Sequence, residues 1–197
     1  ANARILPLSM SSSGLLINIP GHTPPNGLEG IPVSSNTVDD GYFSALRIPL
    51  LRGRPFARTD DERAPRVAVV NETFARTYFP QGDAVGQAFR MDSTLVTIVG
   101  IARDSKFNRL DEAPTPFLYL PVAQHWRSTS NVLVHTTGAS EPVTMALLRE
   151  IAALDPNLPA PRVTTLQQAT AVVLLPQRVA AAVTGALGVV GLLLAAV

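Results

Sequence analysis

Short apolar runs separated by turn-forming residues dominate the first two thirds of the chain. Leu15–Ile19 is one such run, and Ile31–Val38 alternates weakly between apolar and polar side chains, so both predict strands. Val67–Val70 is continuously apolar, which indicates a strand buried on both faces. Later apolar runs predict further strands at Gln87–Met91, Leu95–Ala102, Phe117–Leu120 and Val132–Thr136. The Asp92-Ser93-Thr94 segment is expected to join the first two of these as a hairpin.

Helices are predicted where a capping residue precedes apolar positions. Asp39 or Asp40 is expected to cap a short helix, because an aspartate side chain can accept from first-turn amides. That helix carries Tyr42, Phe43 and Leu46. Asn71 predicts a helix over Glu72–Tyr78 for the same reason.

The pattern continues as a mixture of strands and helices beyond residue 136. Ser140 is expected to cap a helix that runs to Leu154, with one apolar face formed by Val143, Leu147, Ile151 and Leu154. Val163-Thr164 predicts a short strand, and Thr165 with Gln168 has the capping-box spacing that opens another helix. Strands and helices mix without strict alternation, so the fold class expected is α+β.

A long uncharged run ends the sequence. Val179–Val197 contains no charged residue and one polar side chain, Thr184. As a helix it would be about 28 Å long, close to the hydrocarbon thickness of a bilayer. We therefore expect the start of a transmembrane helix, the alternative being a buried C-terminal helix. Pro176 interrupts the helix that leads into this run and is the candidate hinge.

Composition narrows the function classes. The formal net charge is +1, which gives no basic surface for nucleic acid, and nucleic acid is therefore excluded as a partner. Charged residues make up 16% of the sequence, a low share that fits a membrane-associated segment. The sequence has no cysteine, so disulfides and thiolate metal sites are excluded.

No motif for catalysis or cofactor binding occurs. The three histidines, His22, His125 and His135, are far apart and lack ligand spacing, so no metal site is expected. Nucleophile-elbow, P-loop and dinucleotide-binding motifs are missing, so we expect neither an enzyme nor a cofactor. The acidic run Asp60-Asp61-Glu62 and the pair Asp104 and Lys106 are interpreted as solvated loops rather than a cation site or an acid–base pair.

Several segments together resemble a known family. They are GYFSALRIPLLRGRPF (41–56), APRVAVVNETFARTYFP (64–80), AVGQAF (84–89), VTIVGIARDSKFNRLDEAPTPFLYLPVAQ (96–124) and LLREIAALDPNLP (147–159). They are similar to the extracytoplasmic core domain of MacB/FtsX-type ABC transporter permeases. Within that family, the resemblance points to the large duplicated orphan permeases, which carry two such units per chain.

The resemblance implies a domain organisation and a set of partners. Residues 1–165 would form a MacB-like extracytoplasmic core domain whose N-terminal part is missing, and residues 166–197 a connecting helix that enters the membrane. The implied location is the bacterial inner membrane. The implied partners are a cytoplasmic ATP-binding subunit, a second permease unit (as a dimer or tandem duplicate) and the lipid bilayer. The implied function is to couple ATP hydrolysis by that subunit to transport or mechanotransmission.

The resemblance assigns no catalytic residue, so the candidate site residues are structural. Tyr42 and Phe43 are expected to anchor a core, and Gly53 to form a turn with positive φ. Gly100 lies inside an apolar strand, which indicates a bulge or a close backbone approach. Together with Pro176, these four residues are the candidates for coupling ATP hydrolysis to the extracytoplasmic domain. Two other hypotheses stay open at this point: a membrane-tethered solute- or peptide-binding module, and a membrane-anchored hydrolase.

Overall fold

The computed structural model describes residues 1–7, 9, 13–109, 111–126, 130–155, 161 and 163–165. The chain divides into two compact units, Ala1–His135 and Thr136–Val197. All of the strands in the described residues lie in the first unit, and the second contains one described helix. The mixed α+β class predicted from the sequence is confirmed.

The first unit is built on a single sheet of nine strands. Their bounds are β1 Asn2–Ala3, β2 Gly14–Asn18, β3 Ile31–Val38, β4 Leu50–Gly53, β5 Val67–Asn71, β6 Ala88–Met91, β7 Thr94–Ala102, β8 Phe117–Pro121 and β9 Asn131–Val132. The helices are α1 Tyr42–Ala45 and α2 Glu72–Tyr78 in this unit and α3 Ser140–Leu154 in the second. A short 3₁₀ turn covers Pro25–Gly27.

Six of the strands pair in a closed ring. The order β2-β6-β7-β5-β8-β3 returns to β2, because β2 also pairs with β3. The β3–β8 and β5–β7 pairs are parallel, and the other pairs of the sheet are antiparallel. β1 and β9 extend the sheet beyond β3, and β4 pairs with β7 where β6 no longer does.

Two hydrophobic cores lie on opposite faces of the central strands. Along β5, Ala68 and Val70 belong to the first core, whereas Val67 and Val69 belong to the second core. β8 divides in the same way, since alternate residues of a strand point to opposite faces. All five residues of each of these two strands are buried, as the continuous apolar run of β5 predicts.

Most predicted elements are present, with some corrections at their ends. β3 and α2 have the predicted bounds, α3 ends at Leu154 as predicted, and Asn71 caps α2 by accepting from Phe74 N at 2.9 Å. The Asp39/Asp40 cap is wrong: Gly41 is the cap residue of α1, and Asp39 Oδ1 instead accepts from the Gly41 amide. The aspartate therefore stabilises the turn before the helix rather than its first turn.

Three other local predictions fail. The strand predicted at Val132–Thr136 is limited to β9. α3 begins after Ala139 with no side-chain cap from Ser140, and none of its residues is buried, so its predicted apolar face packs only partly. Val163-Thr164 has no strand conformation.

The predictions for the C-terminal part of the chain concern a membrane-spanning helix and the segment that leads into it. Among the residues that the structure describes, no helix has both the length and the apolar character needed to cross a membrane. Gln168, Pro176 and the run Val179–Val197 lie outside the described residues. The boundary at residue 165 therefore stays a prediction.

Candidate functional site

Gly53 and Gly100 face each other where β4 crosses β7. They are register partners, and Gly53 has φ +73°. A Cβ on Gly53 would lie 2.2 Å from Val99 O, and one on Gly100 would lie 2.5 Å from Arg54 O. These distances leave no room for any side chain, and the contacted atoms are backbone. The close backbone approach and the positive φ are thus present, whereas the coupling role of the two glycines stays a prediction.

The same stretch of β7 contains a bulge. Ala68 is opposite Ile98 and Val69 is opposite Gly100, so Val99 is the extra residue. Val99 O accepts from Arg54 N at 2.9 Å, which ties the end of β4 to the bulge. On the other edge of β7, residues 94–97 pair with β6 and residues 100–102 pair with β4, so the bulge lies where β7 changes partner.

Tyr42 and Phe43 lie in an aromatic cluster on the second core. We define this aromatic cluster as Tyr42, Phe43, Phe56, Phe107, Phe117 and Tyr119. Phe43 meets Tyr119 edge-on at 4.9 Å between ring centroids, and Phe107 stacks on Phe117 at 3.5 Å. The cluster joins α1, β8, the segment after β4 and the loop after β7. The anchoring predicted for Tyr42 and Phe43 matches their burial.

An ion pair between exposed Arg54 and buried Asp60 fixes the segment that follows β4. Arg54 donates to both carboxylate oxygens of Asp60, at 2.7 and 2.8 Å, and the Ala57 amide donates to the same carboxylate at 2.8 Å. Hydrogen bonding to Arg54 is the main reason that the pKa of Asp60 is lowered from its ordinary value. The Asp60 carboxylate is fully used, so the Asp60-Asp61-Glu62 run is not arranged as a cation site.

A second polar network joins α2 to the loop after β7. Asp104 accepts from Asn71 Nδ2 at 2.7 Å, Thr73 N at 3.0 Å, Thr73 Oγ1 at 2.7 Å and Arg76 Nη2 at 3.3 Å. Its own amide donates to Glu72 Oε2 at 3.0 Å. Lys106 instead donates to the carbonyl of Glu112, so Asp104 and Lys106 do not form an acid–base pair.

Asn71 and Gln124 are buried polar residues whose full role the sequence did not reveal. Besides capping α2, Asn71 accepts from Phe117 N at 2.8 Å and donates to Thr115 O at 2.8 Å. Gln124 accepts from Val67 N at 3.1 Å and donates to the carbonyls of Asp61 and Pro65. Both side chains therefore fix loops to the ends of β5. Their sequence signal is a lone amide residue at the end of an apolar run.

A narrow cleft opens beside the aromatic cluster. Residues 5–7 line it together with Ser34, Ser35 and Asn36 of β3 and with Phe107, Asn108 and Phe117. The lining is neutral and combines hydroxyl, amide and aromatic groups.

The described residues hold no group of three or more His, Asp or Glu side chains placed to bind a metal ion. His22 packs edge-on against Tyr78 at 5.4 Å, away from the aromatic cluster. Tyr42 and Phe43 thus lie in the aromatic cluster, and Gly53 and Gly100 lie within the sheet where β4 pairs with β7. Pro176 lies outside the described residues.

Relatives of this chain are ABC transporter proteins. YvrN of Bacillus subtilis, an uncharacterized ABC transporter permease, is 26% identical over 87 residues, which are 43% of this chain and 21% of the relative. A probable export ATP-binding/permease protein of Pseudomonas fluorescens is 31% identical over 72 residues, which are 36% of this chain and 11% of the relative. The chain thus matches only a minor part of the length of each.

Solved structures show the same fold. The periplasmic region of MacB from Actinobacillus actinomycetemcomitans superposes with a TM-score of 0.56 at 14% identity, covering 78% of this chain and 66% of that one. The extracellular domain of the noncanonic ABC-type transporter YknZ from Gram-positive bacteria gives a TM-score of 0.52 at 14% identity, covering 79% and 78%.

The family model of the MacB-like periplasmic core domain matches residues 8–155, which are most of the chain. This match confirms the resemblance drawn from the sequence segments. The chain belongs to the MacB-like periplasmic core domain family.

Proposed function

We propose that this domain works in a bacterial ABC transporter permease by passing on a conformational change that a separate cytoplasmic subunit drives by ATP hydrolysis. Membership of the MacB-like periplasmic core domain family is the observation that carries the proposal. The permease and the export ATP-binding/permease protein among the relatives support the transporter context. The domain itself performs no chemistry in this scheme.

The proposed setting includes the partners expected from the sequence. The domain lies outside the cytoplasm, attached to the bacterial inner membrane, and residues 179–197 contact the lipid bilayer. The ATP-binding subunit lies on the other side of that membrane. A second permease unit, as a dimer or a tandem duplicate, completes the transporter.

The first unit has the mechanical properties that such a role requires. β5 and β8 each contribute side chains to both cores, so a displacement of either strand would move side chains in both cores. The Gly53–Gly100 crossing and the Arg54–Asp60 pair fix β4 and the segment after it to the same sheet. A rigid unit of this kind would pass a displacement on without deforming. In the proposal it moves as one piece.

The connection to the membrane is the other mechanical element. A helix that starts after Thr165 and continues through Pro176 into the apolar run would act as a lever. Proline removes one backbone donor and favours a kink, so Pro176 would set the angle of the lever. The angle matters more for coupling than the local stability of the helix.

The test is Pro176→Ala in the full-length permease, reconstituted with its ATP-binding subunit in proteoliposomes. The substitution straightens the junction and stabilises the helix by up to about 3 kcal/mol of intrinsic propensity. We expect transport to fall while ATPase activity persists. Both activities are measured side by side on the same preparation.

Pro25→Ala is the matched control, since Pro25 is exposed at the start of the 3₁₀ turn. It should change neither activity. Unchanged transport in Pro176→Ala would remove Pro176 from the mechanism. A tethered binding module predicts that result, because a flexible anchor has no angle to transmit.

A further inference from the structure

Trp126 is exposed although the other aromatic side chains of the chain are packed. It is the only tryptophan of the sequence, and 77% of its surface is accessible to water. The seven phenylalanines and three tyrosines are all buried or partly buried, in or against one of the two cores. Tryptophan is highly buried on average, because water is a poor solvent for its large ring. The exposure of Trp126 therefore points to a contact made outside this chain.

Two exposed valines follow Trp126 at the edge of the sheet. Val132 is 57% exposed and Val134 is 52% exposed. As alternate residues of an extended segment they share one face, whereas Leu133 between them packs against the second core. We define Trp126, Val132 and Val134 as the edge patch.

The backbone holds the parts of the edge patch at the same end of the sheet. Val122 N donates to Val38 O at 2.9 Å, which fixes the segment before Trp126 to the end of β3. Ser130 donates to the Asn2 side chain, which fixes the start of β9 to β1, the neighbour of β3. Three residues separate Trp126 from Ser130, and an extended chain of that length spans at most about 14 Å.

The charge of this part of the chain fits an anionic lipid surface. Residues 113–140 contain no Asp or Glu, one arginine (Arg127) and two histidines. Asp40, just after β3, has Arg58 Nε at 4.0 Å from its carboxylate. Tryptophan with aliphatic and basic residues is the composition found where proteins contact the headgroup layer of a bilayer. An anionic headgroup layer would meet no carboxylate from residues 113–140.

We propose that the edge patch contacts the surface of an anionic phospholipid bilayer, with Trp126 in the headgroup layer. The inference rests on the proposed function, in which residues 179–197 attach the chain to the membrane. A single attachment leaves the first unit free to rotate about its connection. A second contact through the edge patch restricts that rotation, so the angle of the connecting helix determines where the unit moves.

Tryptophan fluorescence of the 197-residue chain tests the contact. The chain is reconstituted into vesicles of equal parts phosphatidylcholine and phosphatidylglycerol, and flotation with the vesicles measures attachment. Trp126 is the only tryptophan, so the emission reports on this side chain alone. Phosphatidylcholine with brominated acyl chains should lower that emission to about half or less, since interfacial side chains lie at the boundary between headgroups and acyl chains. Vesicles without phosphatidylglycerol should give weaker quenching.

Moving the tryptophan provides the matched control. In the double variant Trp126→Phe/Leu95→Trp the fluorophore lies on β7, across the closed ring from β3, at a position that is 58% exposed. Brominated lipid should leave its emission nearly unchanged. Val132→Ser/Val134→Ser keeps Trp126 and should weaken its quenching, while circular dichroism shows that the fold is retained.

The outcomes distinguish the edge patch from the attachment on which it rests. A chain that does not float with the vesicles overturns the proposed membrane attachment and this inference together. A chain that floats while Trp126 stays unquenched overturns the edge patch alone. Equal quenching at positions 95 and 126 also overturns it, because the first unit would then lie on lipid without a preferred face. Quenching that is independent of phosphatidylglycerol overturns the assignment to anionic lipid. Shielding of Trp126 from acrylamide without quenching by brominated lipid indicates a protein contact instead and contradicts the inference.

Discussion

Arg47 ends α1 in a left-handed conformation that glycine adopts at lower cost. Its φ is +54°, and the Ile48 amide donates back to Phe43 O at 2.8 Å while the Arg47 amide donates to Ser44 O at 3.1 Å. This is the pattern of a Schellman-type helix end, in which the left-handed residue is usually glycine. The Arg47 side chain is exposed, so the cost of its Cβ is not offset by packing.

Replacing this residue therefore gives a stability prediction. Arg47→Gly should raise the free energy of unfolding by about 0.5–1 kcal/mol, because it relieves the left-handed strain. The measurement is thermal or urea unfolding of the 197-residue chain in mild detergent, followed by circular dichroism. Arg47→Ala keeps the Cβ while removing the charge, and should give no such gain. Equal stabilisation by both variants would assign the effect to charge instead of backbone conformation.

At the residue scale, the sequence predicts contacts between residues that are close along the chain. Asn71 was predicted as the cap of α2, because the capped amide lies three residues away. Its contacts with Asp104 and Phe117 join residues 33 and 46 positions apart, and no local pattern marks such pairs. The failed Asp39/Asp40 cap has a different origin, because its partner is only two residues away and the turn geometry decides which amide the carboxylate meets.

At the scale of elements, continuous apolar runs identified the central strands well. β5 and β8 are buried on both faces because each lies between two cores, and this burial leaves a clear signature in composition. The edge elements were less predictable. β9 is shorter than the apolar run that suggested it, because its length depends on pairing with β1 rather than on its own side chains. The closed order of the strands could not be read from the sequence, since it rests on non-local pairs such as β2 with β3 and β6.

Asn71 links β5, α2 and β8, and its replacement tests how strongly these elements depend on one side chain. Its side chain accepts from the amides of α2 and β8 and donates to Asp104 and to Thr115 O. Asn71→Ala leaves two buried amides unpaired and should lower the free energy of unfolding by about 3 kcal/mol or more. Denaturant unfolding of the chain measures the loss. Asn18→Ala, at an exposed position of β2, should cost less than about 0.5 kcal/mol.

The size of the stability loss also shows whether Asn71 serves only as a helix cap or joins three elements. If it served only as a helix cap, the loss would stay near 1 kcal/mol, the usual value for a cap. A loss of that size would contradict the assignment of Asn71 as the joint between β5, α2 and β8.

At the scale of the whole molecule, the aromatic cluster couples the stability of the first unit to alkaline pH. Burial raises the pKa of Tyr42 and that of Tyr119 above the ordinary tyrosine value of 10.0. The folded state thus keeps both hydroxyls protonated at a pH where the unfolded chain ionises them. The stabilisation is fully present below about pH 10 and is lost as the pH rises above it.

Alkaline unfolding should accordingly be steep. With two tyrosines, the free energy of unfolding should fall by up to about 2.7 kcal/mol per pH unit above pH 10, at 1.36 kcal/mol for each group. Urea unfolding of the chain between pH 8 and about 11.5 measures this slope, and absorbance of tyrosinate monitors ionisation during unfolding. The sequence contains a single lysine, Lys106, so few other groups titrate in this range.

The variants assign the slope to particular residues. Tyr119→Phe and Tyr42→Phe should each remove about half of the part that these two residues contribute, and the double variant should keep only the smaller part that Tyr78 contributes. Tyr78→Phe is the control, because burial raises the pKa of Tyr78 but this side chain is only partly covered at the end of α2. A double variant that keeps the full slope would show that the aromatic cluster opens before the domain unfolds. In that case the cluster could not act as the fixed joint between α1, β8 and the loops, and the single-body motion proposed for this domain would fail with it.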